Sequence, residues 1–422
     1  MKTNILPAIA CLALASPAFA QAPPATYEQG ALVRAADLLP AELLRSPSHR
    51  VRDLVGTDGY MAHFEIDTDF GTFQAIGVPE AKRRIVEAEA IRKLVDTSKG
   101  DLFAEGLKRS IEQPIDAVKN IVTNPVKSVK QAPKTVGHFF SKIGGSIQRG
   151  ARKIQESANS NEDPDVAARE MGAGLGQAAK NAAGFDKAKL DTAKQLGVDP
   201  YSDNIRLQEE MEKVTWAFFA GGLPLRIGAA VASAGFAVAA TNMVGIPENT
   251  YALTSSELAL RDAKTLNSMG ASDAEIKTFQ IQRAFSITRR HRIATLLEAL
   301  PNAMGRANIV SLANACSNGD QADFLIGALA ILAEKQRSGA ANYVSIQVLG
   351  RLPAAATTSG EIHVPAPVDL VSWTEEVAAF ARRDDIPAGT RTLVHTGKLS
   401  PAAAAGIAAA GWKTVAVPYP SR

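Results

Sequence analysis

The sequence predicts an α+β protein, predominantly helical, and three observations carry that expectation. Residues 60–67 alternate strictly between polar and apolar side chains, with turn signals on both sides, as a half-buried strand does. Apolar residues at helical spacing run through residues 80–97 and most of 254–336. Over residues 341–422, short β-rich runs are interleaved with helix-like segments, the pattern of a small α/β layer. The expected layout is a signal peptide over 1–20, then an antiparallel β-meander with a helix over 21–100. Basic amphipathic helices and a linker follow over 101–160, a central helical region over 161–340, and the α/β layer over 341–422.

Met1-Lys2 leads into a short apolar core and then Ser16-Pro17-Ala18-Phe19-Ala20, the three parts of a secretory leader. Cleavage is expected after Ala20, delivering the chain to the periplasm or beyond. Cys11 does not read as a lipidation site, because Ala8-Ile9-Ala10 lacks the usual leading Leu or Val. Its removal leaves Cys316 as the one thiol, so the mature monomer can form no internal disulfide. Cys316 sits in a helical apolar context and reads as a buried core thiol rather than a nucleophile.

Residues 35–45 read as one or two short helices around Pro40. Residues 50–55, 60–67 and 72–77 form the three strands of the meander, with turns at Gly56-Thr57-Asp58-Gly59 and Thr68-Asp69-Phe70-Gly71. On the middle strand Ala62, Phe64 and Ile66 share one face; His63, Glu65 and Asp67 share the other. That polar face reads as solvated, because no second ligand cluster is spaced to complete a metal site. Residues 80–97 follow as a helix with an Ile85, Ala88, Ile91, Leu94 and Val95 stripe.

Charge is unevenly distributed. Residues 106–153 hold ten basic and two acidic side chains, a net of +8. Without Lys2 the chain has 45 basic and 43 acidic residues, so everything outside that stretch nets −6. Pro114, Pro125 and Pro133 each open a run with apolar residues at helical spacing. Short, basic, amphipathic helices suit an anionic membrane surface or another envelope component. Lys119, Lys127, Lys130, Lys134, Lys142, Arg149, Arg152 and Lys153 are the candidate contacts. No nucleic-acid partner is expected, since a basic arm on an acidic body destined for export is unlike a uniformly basic nucleic-acid binder.

Further along, Gly172, Gly174 and Gly176 follow no strand and make no phosphate cradle. A helix is expected over 186–196 and another over 204–219, with Ser202 and Asp203 offered as its caps. Arg226 is the single charge in 214–247; its Ala- and Gly-rich composition favours a close-packed core helix over a membrane span. Thr288-Arg289-Arg290-His291-Arg292 reads as a solvated helix face pairing with Glu298 or neighbouring acids.

In the C-terminal layer, strands over 343–349, 361–364, 368–373, 390–395 and 412–417 alternate with helices over 375–383 and 401–410. Parallel α/β layers place ligands at the carboxyl ends of their strands. There His395, Lys398 and Ser400 precede a helix start, a setting for a small anionic ligand. No G-x-S-x-G elbow, H-E-x-x-H or Walker A pattern is present, and no cofactor is indicated. The leading functional reading is therefore an exported, non-enzymatic protein docking on an anionic surface. A periplasmic enzyme or anion-binding protein using the C-terminal layer is the alternative, and a secreted effector inserting residues 216–244 into a bilayer the third.

Overall fold

A computed structural model describes residues 27–112, 175–225, 227, 245–383, 385–386 and 390–420. The expected signal peptide, the basic stretch beyond Glu112 and most of the apolar segment 214–247 lie outside the described residues.

The chain is a mixed α+β protein. Its first sheet is antiparallel and built from β1 (Leu32–Arg34), β2 (Arg50–Val51), β3 (Leu54–Thr57), β4 (Ala62–Thr68) and β5 (Gly71–Ile76), with α1 (Ala41–Leu44) between β1 and β2. The alternation that marks β4 is seen in its burial: Ala62, Phe64 and Ile66 are buried, and His63, Glu65 and Asp67 are partly exposed. The run expected as one strand over 50–55 is split. Arg50 and Val51 pair with the far end of β4, and β3 pairs with its near end and with β1. Between them the Asp53 carbonyl accepts the Ala35 N–H, which breaks the ladder.

The buried face of β4 lies on α2 (Val78–Thr97), whose Ile85, Ala88, Ile91 and Leu94 are fully covered. Ile85, Ile91 and Leu94 each contribute about 1.5–3 kcal/mol over the exposed state. The chain enters α2 through Gly77 at φ 88°, a backbone conformation that favours glycine. Then α3 (Asp101–Glu112), α4 (Leu175–Leu196) and α5 (Ile205–Ala220) complete the first core. A Cβ at Gly106 would stand 2.5 Å from the Ala217 carbonyl oxygen, which records how closely α3 approaches α5.

The short α6 (Asn249–Ala252) lays Tyr251 against this first core. A second core gathers α7 (Ser255–Ser268), α8 (Asp273–Ile281), α9 (Ile287–Glu298), α10 (Asn308–Asn314) and α11 (Gly319–Arg337) against the C-terminal layer. Capping boxes at Thr254/Glu257 and Ser272/Glu275 start α7 and α8. The layer contains β6 (Tyr343–Leu349), β7 (Leu352–Thr357), β8 (Ile362–Ala366), β9 (Leu370–Val371), α12 (Glu375–Ala381), β10 (Arg391–His395), β11 (Lys398–Leu399), α13 (Pro401–Ala409) and β12 (Lys413–Ala416).

Its sheet runs β12-β10-β8-β7-β6, parallel from β12 to β8 and antiparallel from there to β6, so the expected wholly parallel layer is corrected to a mixed one. The run at 368–373 lies outside this sheet, with only Leu370 and Val371 pairing β11. In its place stands β8. Strand β7 carries no β-forming signal, being Leu-Pro-Ala-Ala-Ala-Thr. Its Pro353 pairs only with β6, beyond the reach of β8, where a missing N–H is tolerated.

Asp369 ties the two cores together. Its carboxylate accepts the N–H groups of Ala62 (2.9 Å) and Val78 (3.1 Å) and the Tyr419 hydroxyl (2.6 Å), while the Asp369 and Leu370 N–H groups donate to the Tyr60 carbonyl. Tyr60 and Met61 reach from the first sheet into the second core. Among the described residues no helix is long and apolar enough to cross a membrane.

Candidate functional site

The residues singled out at the C-terminal strand ends are engaged in local structure. His395 is buried, with Nδ1 2.7 Å from the Gly397 carbonyl oxygen. Lys398 is exposed and pairs through its backbone with Leu370. Ser400 caps α13, accepting the Ala403 N–H at 3.0 Å, and its hydroxyl donates to Glu28 Oε2 at 2.5 Å. The same Glu28 oxygen accepts the Trp373 N–H at 2.5 Å. A helix N-terminus attracts an anion; here the chain supplies its own, from a residue 372 positions away. The apolar cavity under this layer is lined by side chains such as Phe324, Val364, Phe380 and Trp412, and His395, Lys398 and Ser400 are not among them. Lys119, Lys127, Lys130, Lys134, Lys142, Arg149, Arg152 and Lys153 lie outside the described residues.

The polar face of β4 is held in ion pairs. His63 Nε2 lies 3.3 Å from Asp58 Oδ2, and that hydrogen bond raises the histidine pKa. Glu65 and Asp67 both pair with Arg52. Among the described residues no three His, Cys, Asp or Glu side chains are grouped to hold a metal ion. Burial pushes the Cys316 thiol up to about 12, which keeps it protonated at neutral pH.

The densest electrostatics lie where α2, α5, α9 and α11 meet. Arg289 makes a two-pronged contact with Asp323 (2.8 Å for both bonds) and a third bond with Asp203 at 2.9 Å. Arg83 also binds Asp323 at 2.9 Å; Arg84 binds Glu80 (2.8 Å), Glu87 (2.9 Å) and Asp203 (2.7 Å). Glu87, buried on α2, further accepts the Ser202 hydroxyl (2.5 Å) and the Asn204 amide (2.9 Å). Burial works against the charges on Asp203 and Asp323. The surrounding guanidiniums outweigh it and hold both carboxyls well below the usual range. Asp320, at the rim and without such a partner, is pushed up to about 6 by burial and by its acidic neighbours.

Two expectations are corrected here. Ser202 and Asp203 do not cap α5, since their side chains are drawn to Glu87 and to the arginines; Asn204 caps it, accepting the Leu207 N–H. The basic patch on α9 is not a solvated face, because Arg289 and His291 are both buried. Its acids come from the turn ahead of α5, from α7 and from α11, and Glu298 instead accepts the Thr265 hydroxyl. Arg289 meets a carboxylate through each of its three guanidinium nitrogens, and with Arg83 and Arg84 it joins α2, α9 and α11 to the turn ahead of α5.

One further constellation escaped sequence reasoning. Asp262 on α7 and His291 on α9 are both buried and share a 2.7 Å bond through Nδ1. The legible signal is that Asp262 falls on the same helical face as Leu258 and Leu266, a charge on an apolar stripe. Compared with known proteins, the chain matches no family model, no curated protein and no solved structure.

Proposed function

We propose that the chain is an exported, non-catalytic protein that docks on an anionic membrane surface or envelope component through its basic stretch. The proposal takes in a leader over 1–20, a cationic segment within 101–160 and a helix-rich body continuing into the C-terminal layer. The observation that carries it is the charge partition, +8 over residues 106–153 against −6 elsewhere in the mature chain. Each basic side chain near an anionic surface contributes about 1 kcal/mol at most, screened by salt, so the segment acts through its number of charges. The alternative is that the stretch wraps the acidic body of its own chain. Against this, Asp203 and Asp323 are already neutralised by Arg83, Arg84 and Arg289, which leaves them little field to offer another cation.

The second reading, an anionic ligand at His395, Lys398 and Ser400, ranks lower because any carboxylate arriving there competes with Glu28 for the same hydroxyl. Cell fractionation tests the leading proposal. The protein should sediment with envelopes at low ionic strength and be released by a high-salt wash, before carbonate. Recovery from the cytosol with Met1 intact would refute export, and retention through both washes would refute peripheral docking.

A further inference from the structure

Helices α7, α8 and α9 leave a cavity of about 280 Å³ between them, at the lower end of the size range of small-molecule sites. Leu266, Ile276 and Phe279 give it a buried apolar floor, and Ser255 and Ser256 stand at its exposed margin. Two opposite charges, Asp262 and Arg290, also line it. Each is anchored at one end. Asp262 Oδ1 is bound to His291 Nδ1 at 2.7 Å, and Arg290 Nη2 donates to the Gln282 carbonyl at 3.2 Å. Neither is fully engaged by the protein. Arg290 Nε is buried with no hydrogen-bond partner, and Asp262 meets His291 through Oδ1 alone. Burial penalises both charges, raising the pKa of Asp262 and lowering that of Arg290.

This combination selects among ligands. A neutral apolar molecule would dry the cavity and leave two charges worse solvated. A simple carboxylate would meet Arg290 but bring a like charge towards Asp262, and a simple amine would do the reverse. A zwitterion with an aliphatic side chain answers all three features. We propose that this cavity binds a small aliphatic α-amino acid, its carboxylate on Arg290, its ammonium on Asp262 and its side chain on Leu266, Ile276 and Phe279. His291 is then a positioning residue: donating from Nδ1, it fixes the Asp262 carboxylate so that Oδ2 is left for the ligand. This site is independent of the basic stretch and of surface docking.

Thermal shift and titration calorimetry on the mature chain test it, with alanine, valine, leucine, isoleucine and methionine as probes. At least one should raise the melting temperature when supplied at about 10 mM, as any ligand selective for the native state must. For leucine as the binder, isopentylamine and 4-methylpentanoate should each bind about tenfold or more weakly, since each leaves one buried charge unanswered. Arg290→Gln should weaken the amino acid by a similar factor and leave the amine unchanged. Ala263→Phe, which fills the cavity without touching either charge, should abolish binding while the unliganded chain still melts cooperatively. No shift with any of the five amino acids overturns the proposal. So does an Arg290→Gln variant that binds the amino acid as the parent does, or that loses amine and amino acid equally.

Discussion

Arg289→Ala should destabilise the protein by about 3 kcal/mol at neutral pH, the low end of the range for removing one partner from a buried ion pair. The guanidinium is buried and holds the partly buried Asp323 by two bonds and the exposed Asp203 by a third; the alanine leaves Asp323 with Arg83 alone, while Asp203 keeps Arg84 and water. The loss falls on the contact between α5, α9 and α11 rather than on one helix. Arg289→Lys keeps the charge but not the fork, so its deficit should be smaller. The pH dependence has a definite sign. Both carboxyls are depressed in the folded state, so their contribution is fully present above the unfolded carboxylate range, near pH 4, and is lost as pH falls through their folded values. The Arg289→Ala deficit should therefore shrink in acid. Urea denaturation at pH 7 and in acid would measure it, and a deficit under 1 kcal/mol at pH 7 would show that water solvates the junction.

Asp369→Ala should cost a comparable amount, about 3–5 kcal/mol, by a different route. Two backbone N–H groups, those of Ala62 and Val78, lose their acceptor inside the protein, and each buried unsatisfied donor costs about 1–3 kcal/mol. The Tyr419 hydroxyl loses its partner as well. Asp369→Asn retains one acceptor oxygen and should fall between alanine and the parent. Because burial raises the pKa of this carboxyl, its charge is not what stabilises the fold. The parent should therefore lose stability as pH rises through the folded value of this carboxyl, and the alanine variant should not, the reverse of a salt-bridged acid. Amide exchange would locate the damage, with Ala62 and Val78 losing protection first if Asp369 is the joint between the two cores.

What the sequence discloses is local periodicity. The alternation of Ala62, Phe64 and Ile66 gives β4 its face, and the Ile85-to-Leu94 stripe gives α2 its own, because burial against one neighbour imposes one period. Strand β7 was illegible for the converse reason. Its Ala-rich run has no preference of its own, and pairing on both sides makes it a strand. The charged residues of α9 misled because exposure is the ordinary fate of arginine, and a buried one depends on acids supplied by other helices. Arg289 meets Asp203 across 86 residues and Asp323 across 34. Glu28 at the start of α13 lies further still from anything a motif could register. Long-range polar contacts of this kind leave no periodic trace, so the joints between elements were hidden while the elements themselves were readable.

Flotation on lipid vesicles is the direct measurement of surface docking. The mature chain is compared with a deletion of residues 113–153, which removes all eight candidate contacts but spares α3, whose Gly106 is packed on Ala217. The parent should rise with anionic vesicles at low salt and stay down with neutral ones or at high salt, and the deletion should not rise at all. Equal flotation of the two chains, or none from either, would contradict docking through the basic stretch.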